Sequence, residues 1–210
     1  LAAKEEGSLA EVLVIAAALA VQDPRERPLD HAPAADAAQK RFADEKSDFL
    51  GFLKLWSFFE ASLHHESNRK LHALCRQHFL SFTRMREWRD IHSQLKELAG
   101  ELGWKAGQPR PADEIATSPI LYAQVHRALA AGLLGNLGLR NEEGAAGDRR
   151  RPGVAPYIGA RGVRFWIHPG SSLGKHRPQW IMTAEMTETT RLYGRSAAGI
   201  QPEWLEEVGA

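Results

Sequence analysis

The run Val163-Arg164-Phe165-Trp166-Ile167-His168 sets Val163, Phe165 and Ile167 against Arg164, Trp166 and His168 at strict alternation. Trp180, Met182, Ala184 and Met186 alternate in the same way with Ile181, Thr183, Glu185 and Thr187, and Arg191, Tyr193 and Arg195 with Leu192, Gly194 and Ser196. A period of two belongs to strands whose side chains point to opposite faces in turn. Several short strands in close succession predict a small sandwich or barrel, and a last turn of helix is expected from Pro202.

Upstream the period is 3.6. Ser8 is placed to cap a helix whose apolar residues Leu9, Val12, Leu13, Ala16 and Leu19 share a face. Asp23-Pro24 ends it, because a proline disfavours helix at the residue before it. A short alanine-rich helix follows near Ala34 to Ala43. Ser47 caps a strong helix buried through Phe49, Leu50, Leu53, Trp56 and Phe59 or Leu63, and Ser67 begins a shorter one carrying Leu71, Leu74 and Cys75. The longest helix runs from about Ser81 to Leu102 on a stripe of Trp88, Ile91, Leu95, Leu98 and Leu102. Arg86, Arg89 and Lys96 fall on its other side, and Gly103 stands just past its end. A Pro/Gly-rich linker spans 105–117. Ser118-Pro119 then opens a final helix through about Leu134, where Gly132, in line with Leu121, Val125 and Leu129, predicts close contact with a neighbour. The expected fold class is α+β: a helical bundle over 1–140, a low-hydrophobicity linker over 141–156 containing Arg149, Arg150 and Arg151, and a β domain over 157–210.

With 210 residues, 43% hydrophobic and 25% charged, the chain has the balance of a soluble globular protein and length for two small cores. It opens at Leu1, as a piece of a larger protein would. One cysteine, Cys75, excludes an internal disulfide. Ala18-Leu19-Ala20 imitates a leader cleavage site, but Glu5, Glu6 and Glu11 are wrong for a secretory leader. The segment is also too short to span a bilayer, so the expectation is a cytoplasmic protein with no membrane partner. The net charge of +1 conceals an asymmetry. Basic and acidic residues cancel, 18 against 18, from Leu1 to Arg140, whereas Arg149 to Arg195 holds 9 basic residues against Glu185 and Glu188. A polyanion would be drawn to that part first.

The motifs that suggest catalysis fail on inspection. Gly170 to Lys175 imitates a phosphate-binding loop but has three residues between its glycines instead of four, and His176 where Ser or Thr is needed. His72 and His78 diverge by about 120° around a helix, a poor shape for one tetrahedral ion with Cys75. No serine or cysteine stands in a nucleophile-elbow setting. The β region is more informative. Arg164, Trp166 and His168 would share one strand face and Arg191, Tyr193 and Arg195 another, a basic–aromatic–basic pattern suited to single-stranded nucleic acid. Alternation alone equally allows Trp166 and Tyr193 to point into the barrel with the arginines solvated. Lys175, His176 and Arg177 add donors on the Gly/Ser loop 170–178.

Three stretches together resemble DEAH-box RNA helicases. Val14 through Asp23-Pro24-Arg25-Glu26-Arg27-Pro28 is similar to the opening of that family's helicase-associated helical domain, and Arg86-Glu87-Trp88 through Gln94-Leu95 to its long ratchet helix. Phe165-Trp166-Ile167-His168-Pro169-Gly170-Ser171-Ser172-Leu173, then Pro178-Gln179-Trp180-Ile181, Glu185 through Arg191, and Ile200-Gln201-Pro202-Glu203-Trp204-Leu205 resemble its OB-fold domain. The Asp23 to Pro28 run and the long helix look most like the bacterial HrpA-type branch.

The resemblance implies an OB-like barrel and a parent protein whose two RecA-like domains bind ATP and magnesium. This chain has no phosphate-binding loop or DEAH tetrad and no cofactor of its own. It further implies that the ratchet and barrel domains close over single-stranded RNA and pack on the RecA-like domains. Carried over, Ser171, Ser172, Lys175 and Arg177 would contact the RNA backbone, Arg191 and Arg195 would neutralise phosphates, and Arg86 and Arg89 would act from the ratchet helix. Arg164 and Tyr193 join them on the alternation argument alone. The rival expectation is a protein-docking barrel that receives an activator and makes no RNA contact.

Overall fold

The structure, a computed structural model, describes residues 1–63, 66–142 and 155–209. Helices α1 (Ala2–Glu5), α2 (Leu9–Leu19), α3 (Ala32–Gln39), α4 (Asp48–Leu63), α5 (Asn68–Gln77), α6 (Phe82–Glu101), α7 (Ala112–Thr117) and α8 (Pro119–Gly132) precede the strands. Strands β1 (Leu137–Arg140), β2 (Tyr157–Ile158), β3 (Arg164–Ile167), β4 (Trp180–Glu188) and β5 (Leu192–Ile200) close into a barrel, and α9 (Glu203–Gly209) follows. The α+β class expected from the two periodicities is what the chain forms.

The helical core gathers on α4, where Phe49, Leu50, Leu53, Trp56 and Phe59 are buried as the spacing predicts. Trp88 of α6 packs its ring against Trp56 at 5.2 Å and donates its indole N–H to the Val14 carbonyl at 2.9 Å. The end of α6 closes as a Schellman turn. Gly103 has φ +74° and donates to Gly100, while Trp104 donates to Ala99, a pairing that uses two carbonyls left orphaned by the helix end.

Two helical faces differ from the periodic reading. The face of α2 that is buried carries Glu11, Val14, Ile15 and Ala18, and Leu19 is exposed. The helix is apolar nearly all round, so spacing alone did not select a side. The buried Glu11 carboxylate, bound by the Arg110 guanidinium at 2.8 Å, marks the true one. On α6 the stripe is buried only at its start: Leu98 and Leu102 are 54% and 64% exposed. Gly132 is exposed, and a Cβ there would meet nothing within 4 Å, so it marks the end of α8 and not a helix contact. The expected linker 105–117 contains α7, and Ser118 caps α8 through the Leu121 N–H.

The barrel order is β1-β2-β3-β5-β4, antiparallel except for the parallel pair β3–β5. Its first strand, Leu137–Arg140, lies before residue 141, inside the stretch expected to be helical. Residues 143–154, which include Arg149, Arg150 and Arg151 and most of the expected linker, are outside the described residues. The interior is filled by the Phe165 ring together with Tyr157, Ile181, Leu173 and Ala197. Glycines make room for that ring. A Cβ on Gly138 of β1 would come within 2.4 Å of it, and one on Gly194 of β5 within 3.0 Å of the ring and 2.5 Å of Thr183.

Strand β5 changes face part-way along. Leu192 and Ala197 both reach the barrel interior although their numbers differ in parity, and between them Ser196 takes φ +51°. Beyond that kink Ala198 and Ile200 face the helical core, which they share with Met182 and with Trp204 of α9. The helical core therefore extends onto β4, β5 and α9, while the barrel interior forms a second, separate cluster. Gly138→Val should lower unfolding free energy by about 1–3 kcal/mol through overpacking of Phe165, read from the urea midpoint. An unchanged midpoint would show that the ring is not walled by glycine.

Candidate nucleic-acid interface

The seam between the helices and the barrel is polar where it reaches the surface. Ser47 pairs with Ala198 as an isolated antiparallel bridge, Gly199 N–H donates to Lys46 O at 3.0 Å, and Tyr122 Oη lies 2.9 Å from Gly199 O. Beneath it His126 is fully buried, 2.7 Å from the Ser47 hydroxyl, and burial pulls its pKa down to about 4, so it is neutral near pH 7.

At the first residue of α4, Asp48 accepts three hydrogen bonds from the barrel. Ser171 Oγ donates at 2.5 Å, Ser172 N–H at 2.9 Å and Ala197 N–H at 2.8 Å. Burial pushes the Asp48 carboxyl above the usual carboxylate range, opposed by these three donors and by Arg25. All three groups donate to its oxygens, the arrangement an ionised carboxylate accepts. Arg25 is itself fixed on Asp23, 2.7 Å away, with its guanidinium 5.2 Å from the centre of the Phe52 ring. The Asp-Pro-Arg-Glu-Arg-Pro run is thus an architectural element. Pro24 O accepts from Ser81 N–H, Glu26 N–H donates to Phe79 O, and Arg27 pairs with Asp36 at 2.7 Å.

Register decides the orientation that alternation left open. Trp166 pairs with Tyr193 and Ile167 with Gly194 in the parallel β3–β5 ladder. Phe165, Ile167 and Gly194 turn inward, so Arg164, Trp166 and His168 stand beside Arg191, Tyr193 and Arg195 on the outer face. Trp166 and Tyr193 are half-buried, not interior. The Arg191 guanidinium lies 4.7 Å over the Trp166 ring, and the His168 ring meets Tyr193 edge-on at 5.7 Å. Among the described residues the buried Trp166 indole nitrogen has no acceptor. Glu185, opposite Arg195 in register, pairs with it at 3.4 Å and partly offsets its charge. Burial and the neighbouring Arg195 hold His168 below the usual histidine range, which makes it a polar and not a charged member of the face at neutral pH.

The other site residues divide. Ser171 and Ser172 are spent on Asp48, so their donors fasten the loop instead of facing solvent. Lys175 is exposed on that loop, and Arg177 folds back with Nε donating to Gly174 O at 3.1 Å. Arg86 is exposed on α6, whereas Arg89 binds Glu60 of α4 at 2.6 Å. No described hydrogen bond or ion pair joins either arginine to the barrel, so the structure presents a barrel group and a separate α6 group. Asp48 was not found by sequence reasoning, since a carboxylate just after a Ser cap reads as an ordinary first-turn acid. Among the described residues no three His, Cys, Asp or Glu side chains could hold a metal ion, and His72 instead stacks on Phe82 at 3.8 Å. None of the described helices is long and apolar enough to cross a membrane.

Residues 1–52 match the ratchet-like helicase associated domain (HA2), and residues 125–210 match the oligonucleotide/oligosaccharide-binding (OB)-fold family. The chain is 40% identical over 208 residues to the ATP-dependent RNA helicase HrpA of Escherichia coli and 38% identical to the HrpA homolog of Haemophilus influenzae. The chain belongs to the HrpA-type DEAH-box helicase family. The match covers 99% of the chain but 14% of each of those relatives, so the chain carries the family's accessory ratchet and OB-fold domains. The OB-fold match begins at Val125, upstream of β1, in keeping with a barrel whose first strand precedes residue 141.

If Asp48 is the fastening, Asp48→Ala leaves three donors unpaired and should cost about 3 kcal/mol of stability, and Ser171→Ala about 1 kcal/mol. Chemical denaturation measures both, and two near-zero effects would remove Asp48 from this role.

Proposed function

We propose that this chain is the RNA-gripping accessory region of an ATP-dependent helicase. Its barrel face and ratchet helix close over single-stranded RNA while RecA-like domains of the parent chain, with ATP and magnesium, drive the strand. The observation that carries this reading is the β3–β5 register, which assembles Arg164, Trp166 and His168 with Arg191, Tyr193 and Arg195 on one outer face. Half-buried rings offer stacking surfaces to bases, and the guanidiniums meet phosphates. Such contacts hold the strand with little regard to its sequence. A partner-docking barrel would not require basic and aromatic side chains gathered on one outer face.

Binding of a single-stranded oligouridine by the chain, followed by fluorescence anisotropy, should weaken with salt at a slope near −0.7 in log–log form for each phosphate contacted. Trp166→Ala should remove about 1–3 kcal/mol of affinity by loss of stacking. Affinity flat in salt and indifferent to Trp166 would refute the reading; in that case an activator protein whose binding is lost in Arg191→Glu would take its place.

A further inference from the structure

Beside the outer face lies a cleft of about 460 Å³ between the turn at 40–45 and the loop 168–177. It has the size of a pocket for a small ligand. Tyr157, Ile167 and Pro169 contribute apolar surface, while Lys40 from the helical domain and Lys175 and Arg177 from the barrel contribute cations. Lys40 and Lys175 are exposed, and among the described residues neither forms an ion pair. Among the described lining residues the one carboxylate, Glu45, is 2.9 Å from His176 Nε2, a contact that bridges the two walls.

Two features connect this cleft to the strand face. His168 belongs to both: it stands next to Tyr193 on the outer face and lines the cleft. The cleft's barrel wall is also the loop that Asp48 fastens through Ser171 and Ser172, so Lys175 is carried on a segment whose base is fixed to α4. A strand lying over Trp166 and Tyr193 therefore has a continuous path past His168 to a place with apolar walls and two uncommitted ammonium groups.

We propose that the cleft is a second nucleotide subsite, in which Lys40 and Lys175 hold successive phosphates of the RNA strand as it leaves the barrel face and crosses the domain seam. The proposal rests on the RNA reading above and adds to it a contact on the turn after α3. Lys40 becomes a contact residue, and the two domains grip one strand jointly.

The test compares the chain with its Lys40→Gln/Lys175→Gln variant on single-stranded oligouridine of about ten nucleotides and on a short one of about three, as a function of salt. Both lysines are exposed, so circular dichroism and melting should match the parent chain. On the long strand the variant should bind at least about fivefold more weakly, with a salt slope shallower by about 1.4, two phosphates at 0.7 each. Binding of the short strand should be unchanged, because it occupies the Trp166 face alone. If the double variant binds the long strand as the parent does while Trp166→Ala weakens it, the cleft is not a subsite and the strand face stands. Indifference of the chain to both changes would overturn the subsite and the RNA reading together.

Discussion

One carboxylate decides how the two halves of this molecule face each other. Asp48 stands at the start of the most buried helix and accepts from two separate parts of the barrel, the loop after β3 and the segment of β5 just past its kink. A buried charge with three hydrogen bonds is directional where an apolar contact is not. The shared core of Met182, Ala198, Ile200 and Trp204 holds the domains together, and Asp48 sets their angle. The Asp23-Pro24-Arg25 run adds to the same region: Asp23 fixes Arg25, and Arg25 lies close enough to favour the ionised form of Asp48.

The barrel tolerates this arrangement because β5 changes face at Ser196. Without the kink, the residues that fill the barrel and those that reach the helices would need opposite parity along the whole strand. With it, Leu192 and Gly194 serve the interior, Arg191, Tyr193 and Arg195 serve the outer face, and Ala198 and Ile200 serve the helical core. One nine-residue strand thus joins outer face, barrel interior and domain seam.

Much of this was legible in the residues. The change of period about two-thirds of the way along the chain announced the α+β class, and the Ser47 and Ser118 caps located two helices. Local pattern failed where the environment is not local. The Leu137–Arg140 strand is short and holds two of its four positions partly exposed, so it carries no alternation to read. The α2 helix is apolar on every side, and only its Glu11–Arg110 pair shows which side is inside. At the candidate site, the basic–aromatic pattern picked out residues that β3 and β5 bring side by side, but not the direction they face, which depends on strand register. Ser171 and Ser172 looked like ligand contacts because small polar residues in a Gly-rich loop do, yet their partner is an acid more than a hundred residues away. Lys40 offered no signal at all, since its setting comes from the barrel loop opposite.

The gripping role depends on where a strand lies. Amide hydrogen exchange of the chain with and without a single-stranded oligouridine locates it directly. Slowed exchange at 164–168, 191–195 and the loop 170–177, joined by the turn at 40–45 and the part of α6 around Arg86, with α1 and α2 unchanged, is the predicted result. Protection confined to α6 or α8, or no protection at saturating RNA, would contradict it.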